Sequence, residues 1–250
     1  MDITGNTILI TGGGSGIGRA LAEALHAEGN KVIIAGRRRA ALQDVADAVP
    51  GIDIETLDVG DPAAIRDFAA TITARYPALN VVVHNAGVMK AEDLTADAFD
   101  LADAEATVAI NLLGPIRLTA ALLPHLKAQA AATIVTVSSG LAFVPMAATP
   151  TYSATKAAIH SYSQSLRHQL RDTAIDVIEI APPAVATDLM PGHADNPNSM
   201  PLDAYISETI ANLKAEPKGP EILVERVKML RFAERDGEYA KVFGMLNSRG

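Results

Sequence analysis

Six short runs of β-branched and aliphatic residues recur along the chain: Thr7–Thr11, Lys31–Ala35, Asp53–Leu57, Val81–His84, Thr133–Val137 and Asp176–Ile180. Each is nearly all apolar and lacks in/out alternation. A strand of that kind is buried on both faces, the condition of a parallel sheet sandwiched between helices. The stretches near Ile17–Glu28, Arg38–Ala48, Pro62–Arg75, Ala104–Gln129 and Thr151–Arg171 read as the crossover helices. The alternation predicts right-handed βαβ units and an α/β fold, a doubly wound parallel sheet of six or seven strands with helices on both faces.

No repeat, low-complexity tract or linker divides the 250 residues, so 1–250 is expected to form one domain. The segment after Pro182 is rich in Pro, Gly, Asn and Met, then turns helical. It reads as a loop over the carboxyl ends of the strands, a substrate lid at about 183–216. Apolar residues make up 49% of the chain, enough for a large core, and with 4% aromatics that core is aliphatic. A net charge of -8 disfavours nucleic acid and anionic membranes as partners. The chain has no Cys, which excludes disulfides and thiol catalysis. Its six His form no convincing ligand set, so no metal site is expected. No uninterrupted apolar run has membrane-spanning length and no leader-like segment opens the chain, which makes a cytoplasmic protein the expectation.

The first strand runs into Thr11-Gly12-Gly13-Gly14-Ser15-Gly16-Ile17-Gly18, and a helix follows. Gly12 permits a tight turn, Gly16 lets backbone approach a pyrophosphate, and Gly18 lets helix and strand pack closely. Phosphates would then lie at a helix N-terminus, where free N–H groups and the dipole favour anions. Alone, such a turn reads equally well as a flexible loop; its position at the first strand–helix junction points to a dinucleotide. Folds that bind NAD place an acid at the end of the second strand, on the ribose 2′-OH. This chain has Ala35-Gly36-Arg37-Arg38-Arg39 there. An arginine fork can hold a 2′-phosphate, so Arg37, assisted by Arg38, points to NADP(H). The alternative is a solvated basic helix start, which the helix dipole disfavours.

Tyr152 and Lys156 stand at i and i+4 in the fifth helical stretch and share a face. A free phenol, with a pKa of about 10, is a poor base near neutrality. A cation about 4 Å away is worth roughly 4 kcal/mol at an effective dielectric near 20, or about three pKa units. Lys156 is therefore expected to bring Tyr152 into working range as acid in reduction and base in oxidation. A Tyr–Lys pair is more often a helix-surface contact. Here, however, Ser138-Ser139 ends the fifth strand and brings hydroxyls to the same sheet edge.

In these features the chain resembles the short-chain dehydrogenase/reductase family, in its form of about 250 residues with a Rossmann sheet. Further matches are Asp58-Val59 after the third strand, Asn85-Ala86-Gly87 after the fourth, and Asn111 in the long helix. The resemblance implies Tyr152 as proton donor or acceptor and Ser139 as hydrogen-bond donor to the substrate oxygen. Ser139 is preferred to Ser138 because it precedes Tyr152 by 13 positions, the family's spacing. Lys156 would hold the nicotinamide ribose, and the Asn111 backbone a water linking Lys156 to solvent. The cofactor would be contacted by Gly12, Gly14, Ser15, Gly16, Ile17 and Gly18, by Arg37 and Arg38, and by Asp58 and Val59 beside adenine. Asn85, Ala86 and Gly87 would line the cleft, although Asn85 reads equally as a tie between strands. Pro182, Val185 and Thr187 would lie beside nicotinamide.

The family implies hydride transfer between nicotinamide and a carbonyl or secondary alcohol; the alternative on the same fold is a nonenzymatic NADP-binding sensor or scaffold. Two departures stand out. Pro182-Pro183 replaces the family's Pro-Gly, which puts the Thr187 contact in doubt. The chain also lacks the usual Val-Asp-Gly-Gly ending and runs Tyr239–Asn247 instead, which leaves the seventh strand in doubt. Ser138–Pro145 and Ala158–Tyr162 resemble the reductase-like proteins associated with wall-teichoic D-alanylation genes. Met89, Leu141, Phe143, Val144, Met146, Leu189, Met190 and Met200 either line an apolar substrate pocket or pack under the late loop. In the family the two long helices pair across a two-fold axis. That implies a homodimer here, with a tetramer as the alternative.

Overall fold

In the computed structural model, residues 1–97, 100–190, 192 and 194–248 are described. Pro191 and His193 of the expected lid lie outside them. Seven strands form one all-parallel sheet, β1 (Thr7–Thr11), β2 (Lys31–Gly36), β3 (Asp53–Thr56), β4 (Leu79–His84), β5 (Ala132–Val137), β6 (Ile175–Ile180) and β7 (Glu221–Ile222), in the order β3-β2-β1-β4-β5-β6-β7. The order reverses direction at β1 and β4, so a crevice opens outside their carboxyl ends. The seventh strand, in doubt from the sequence, is present but short. It has two residues after Pro220, while Tyr239–Asn247 is helical.

Successive side chains of the central strands feed opposite cores. Ile8, Ile10, Val81, Val83 and Ile178 pack beneath α1 (Gly16–Ala27), α2 (Arg39–Ala48) and α7 (Leu202–Ala215). Leu9, Val82, Ile134 and Val177 pack beneath α3 (Pro62–Arg75), α5 (Gly114–Lys127) and α6 (Pro150–Leu170). Both faces are therefore dry, as the unbroken apolar runs require.

The predicted helix near Ala104–Gln129 is one rod of three parts: α4 (Ala102–Val108), a wide π-turn at Ala109–Leu113, and α5. Together, Ala102–Lys127 is long and apolar enough by length and composition to cross a membrane. Asp103, Glu105 and Arg117 interrupt its apolar sequence but not its helix, and Leu118, Leu122 and Leu126 are buried on the sheet. The loop after β6 is pinned at both ends, with Met200 N donating to Ala184 O (2.8 Å) and Ala186 N to Met200 O (2.9 Å). Two further helices, α8 (Lys228–Arg231) and α9 (Tyr239–Asn247), close over the segment after β5, where Val144, Ala233 and Val242 form a small separate core.

Candidate active site

The carboxyl ends of the strands open into a cleft of about 510 Å³. Its outer part is built by the turn after β1. Gly12 has φ +69°, and a Cβ there would lie 2.8 Å from Ala86 Cα. Gly18 has an ordinary φ, but a Cβ on it would lie 2.3 Å from both Gly12 O and Asn85 Nδ2. The turn is thus compressed against the β4 end, and α1 begins at Gly16 with its N-terminus toward the cleft. Ser15, at the N-cap, makes no side-chain capping bond. Its hydroxyl accepts from Arg38 Nη2 at 3.2 Å. Gly13, not among the expected contacts, is equally constrained, since a Cβ there would lie 2.5 Å from Ile34.

Gly12, Gly14, Ser15, Gly16, Ile17, Gly18, Arg37, Arg38, Asp58, Val59, Asn85, Ala86, Gly87, Pro182, Val185 and Thr187 all line this cleft. Their side chains do different work. Asn85 donates to Thr11 O (3.0 Å) and Gly12 O (3.3 Å), so its amide ties β4 to β1. Asp58 Oδ1 accepts from Gly60 N at 2.8 Å and shapes the turn after β3. Thr187, beyond Pro182-Pro183, lines the cleft with its methyl 3.4 Å from a Cβ built on Gly16. The residues thus fit an elongated dinucleotide: a helix N-terminus without a side-chain cap, backbone stripped of Cβ atoms, and two guanidinium groups at the end of β2.

Ser139, Tyr152 and Lys156 form the floor at the other end. All three are largely buried, at 8%, 6% and 5% exposure, yet reach the cleft. The Ser139 hydroxyl stands close enough to the Tyr152 hydroxyl to act on its acidity. Ser139 Oγ accepts from Leu141 N at 3.1 Å, whereas Ser138 Oγ faces Ile180 O. Lys156 Nζ donates to Val137 O at 2.8 Å and lies 5.5 Å from the Tyr152 ring centre.

This geometry corrects the expected direction of the Tyr152 shift. Burial pushes the phenol up to about 12, against a smaller lowering by the Ser139 hydroxyl. Lys156 is itself pulled down to about 8 by burial, with the Glu179 carboxylate working against that fall. The sequence argument weighed the cation and omitted the desolvation of both groups.

Asn111 sits in the π-turn and does not line the cleft. Its side chain accepts from Val88 N (2.9 Å) and donates to Val88 O (2.8 Å) and Thr155 Oγ1 (3.4 Å). The carboxamide therefore clamps the irregular segment after β4 to α6. An i→i+5 turn frees backbone groups that an α-helix would pair.

Of the apolar candidates, Met89, Leu141, Met146 and Leu189 line the cleft. Phe143 instead stacks on Arg231 (4.6 Å) and meets His160 edge-on, Val144 belongs to the small C-terminal core, and Met200 packs under α7. Leu230 and Leu246, which carry no sequence signal for this role, complete the apolar wall. Among the described residues one potential ligand set for a cation exists, His160, Glu179 and Glu221. Arg231 grips both Glu221 oxygens at 2.7 and 2.9 Å, so that carboxylate already has a cation.

Residues 6–198 match the short chain dehydrogenase family, and the chain belongs to it. It is 41% identical to the uncharacterised oxidoreductase DltE of Bacillus subtilis, over 100% of this chain and 99% of that protein. The expected resemblance to the proteins associated with D-alanylation genes is thereby borne out. A short-chain dehydrogenase from Streptomyces avermitilis superposes with a TM-score of 0.81 at 28% identity, covering 95% of each chain. Further solved members of the fold include complexes with NADP and with NAD, each 23% identical to this chain.

Proposed function

We propose that this oxidoreductase is an NADP(H)-dependent carbonyl reductase or alcohol dehydrogenase acting on a small to medium, mainly apolar substrate. The carrying observation is that Ser139, Tyr152 and Lys156 stand together, largely buried, at one end of a cleft whose other end fits a dinucleotide. A nicotinamide held in the cleft would supply or accept the hydride. In reduction the Tyr152 hydroxyl gives its proton to the carbonyl oxygen, and the Ser139 hydroxyl donates a hydrogen bond to that oxygen as charge develops. Lys156 would hold the ribose and restore the proton on Tyr152. Asn111 positions the segment around Lys156. In oxidation the proton returns to Tyr152. The apolar wall of Met89, Leu141, Met146, Leu230 and Leu246 supports the substrate class.

Arg37 and Arg38 support NADP(H); the fold accepts both cofactors, so the choice rests on the residues after β2. The loop and helix at about 183–216 act as the substrate lid of a single 1–250 domain, anchored by α7, whose Tyr205 is fully buried. A cytoplasmic homodimer through α5 and α6 completes the reading. It is supported by exposed small residues on one face of α6, Ala154, Ala157 and Ser161, which permit close helix approach.

The test is a screen of ketones, aldehydes and alcohols with NADPH and NADP, followed by Tyr152→Phe. Turnover of the variant should fall about 10²–10⁴-fold with cofactor binding retained. A Phe variant with near wild-type turnover overturns the proton-transfer assignment. A chain that binds NADPH but turns over nothing favours the sensor or scaffold.

A further inference from the structure

Behind the catalytic helix lies a fully buried carboxylate that the proposed chemistry does not use. Glu179, in β6, is 0% exposed. Its Oε2 accepts from His160 Nδ1 at 2.8 Å, and its Oε1 is buried with no hydrogen-bond partner. A buried charge of this kind is retained only where something answers it. Register places it: Glu179 pairs with Thr136, one residue before the Val137 whose carbonyl receives Lys156. Thr136 Oγ1 bonds Ser163 Oγ of α6, so this row of side chains faces that helix. Tyr152, Lys156 and His160 follow at i, i+4 and i+8 along the same helix.

The other charged groups around the carboxylate are accounted for. Arg231 is forked onto Glu221, and Arg167 donates to the carbonyls of Val177 and Pro220. His160 Nε2 meets Gln164 Nε2 at 2.8 Å. Arg231 also feels the Glu179 charge and Glu221 lies in the same cluster, but Arg231 is part-exposed and forked onto Glu221, whereas Lys156 is the buried cation.

We infer that Glu179 is a positioning residue for the reaction, a buried counter-charge that keeps Lys156 protonated where water is excluded, with His160 holding its carboxylate in place. The inference rests on the reading of Lys156 as part of the catalytic machinery. Desolvation alone would drive Lys156 toward the neutral amine, which can neither favour a phenolate on Tyr152 nor return a proton to it. Glu179 opposes that drift. It touches neither substrate nor cofactor and acts through Lys156.

The experiment is a titration of Lys156 by NMR in protein labelled at lysine Cε, with the resonance assigned by its loss in Lys156→Arg. In Glu179→Gln, which keeps the shape and a hydrogen bond to His160, the Lys156 midpoint should fall by about one pH unit. The alkaline limb of turnover should move down with it. Glu179→Asp, which keeps the charge, should restore most of both. If the single Gln variant folds poorly, Glu179→Gln with His160→Gln pairs two amides there and carries the same expectation. A Lys156 midpoint unchanged by removal of the charge overturns the inference. The NMR readout needs no turnover. A shifted midpoint together with an active Tyr152→Phe enzyme would therefore reject the catalytic reading and leave the Glu179–Lys156 coupling standing.

Discussion

Arg38 donates from its guanidinium to the Ser15 hydroxyl at 3.2 Å, joining the end of β2 to the N-cap of α1. The bond carries a positive charge to the mouth of the glycine turn, next to Arg37, and neither arginine has a carboxylate partner among the described residues. A phosphate on the adenosine ribose would meet both.

Cofactor choice should follow from that pair. Arg37→Ala should weaken NADPH binding about ten- to a hundredfold, the worth of a charged hydrogen bond, and leave NADH nearly unchanged. Gly36→Asp should move preference toward NADH by offering an acceptor to the 2′-OH and repelling phosphate. Fluorescence titration of both cofactors against each variant checks this; equal losses for the two cofactors would reject the arginine assignment.

Gly18 is held by contact rather than by backbone angle. Gly18→Ala puts a methyl group 2.3 Å from Gly12 O and Asn85 Nδ2. Backbone on one side and a strand-tying amide on the other leave no room to yield, so the cost should be about 3 kcal/mol or more. Gly5→Ala is the contrast: nothing lies within 4 Å, and its φ of +76° makes any cost one of conformation alone. Urea unfolding of the two variants should separate steric from conformational strain. Equal losses would mean that the turn is not compressed against β4.

His84 closes β4 and is buried, with Nε2 on Thr119 Oγ1 at 2.8 Å. Burial pulls its imidazole down to about 4. The unfolded chain therefore binds a proton that the folded chain refuses between about pH 6.5 and 4. Stability is complete above that window and declines as pH falls through it, by roughly 1.4 kcal/mol per unit. Unfolding free energies at pH 7, 6 and 5 should show this slope, and His84→Gln should flatten it by that amount. A variant with the wild-type slope would show that other groups govern the acid response.

Assembly is checked by light scattering at micromolar protein. The α5–α6 contact should give a stable dimer, and Ala157→Arg, which places a long charge on the exposed face of α6, should yield monomer. A wild-type monomer rejects the interface. A tetramer would show that the chain also makes a second contact despite its altered ending.

The central strands were legible because a strand covered on both faces has to be mainly apolar, whereas β3, Asp53-Ile54-Glu55-Thr56 at the sheet edge, has no fully buried residue. The turn at Thr11–Gly18 was legible because close backbone approach demands glycine. β7 was not: Glu221 and Ile222 supply a single buried apolar residue, and the strand exists because Arg231 and the β6 edge hold it. The π-turn around Asn111 leaves no mark in composition, since an extra residue in one turn changes hydrogen bonding and not residue type. Phe143 looked like pocket lining by hydrophobicity, yet a guanidinium claims its ring. Glu179 had no reading at all, because a glutamate in an apolar run declares itself only when its neighbours across the sheet and on α6 are known. For Tyr152 the residue was legible and its acidity was not, since burial is a tertiary quantity.

Leu230 and Leu246 reach the cleft from helices far along the chain, while the groups fitting the dinucleotide come mostly from the segments between β1 and β4. A Cβ on Gly140 would strike Leu230 Cδ1 at 2.6 Å, and Asn247 reaches back to Ala147 N and Pro145 O. The apolar wall is therefore fastened to the segment after β5 by two late helices, and its Leu230 and Leu246 can be changed without touching the glycine turn at the far end of the cleft.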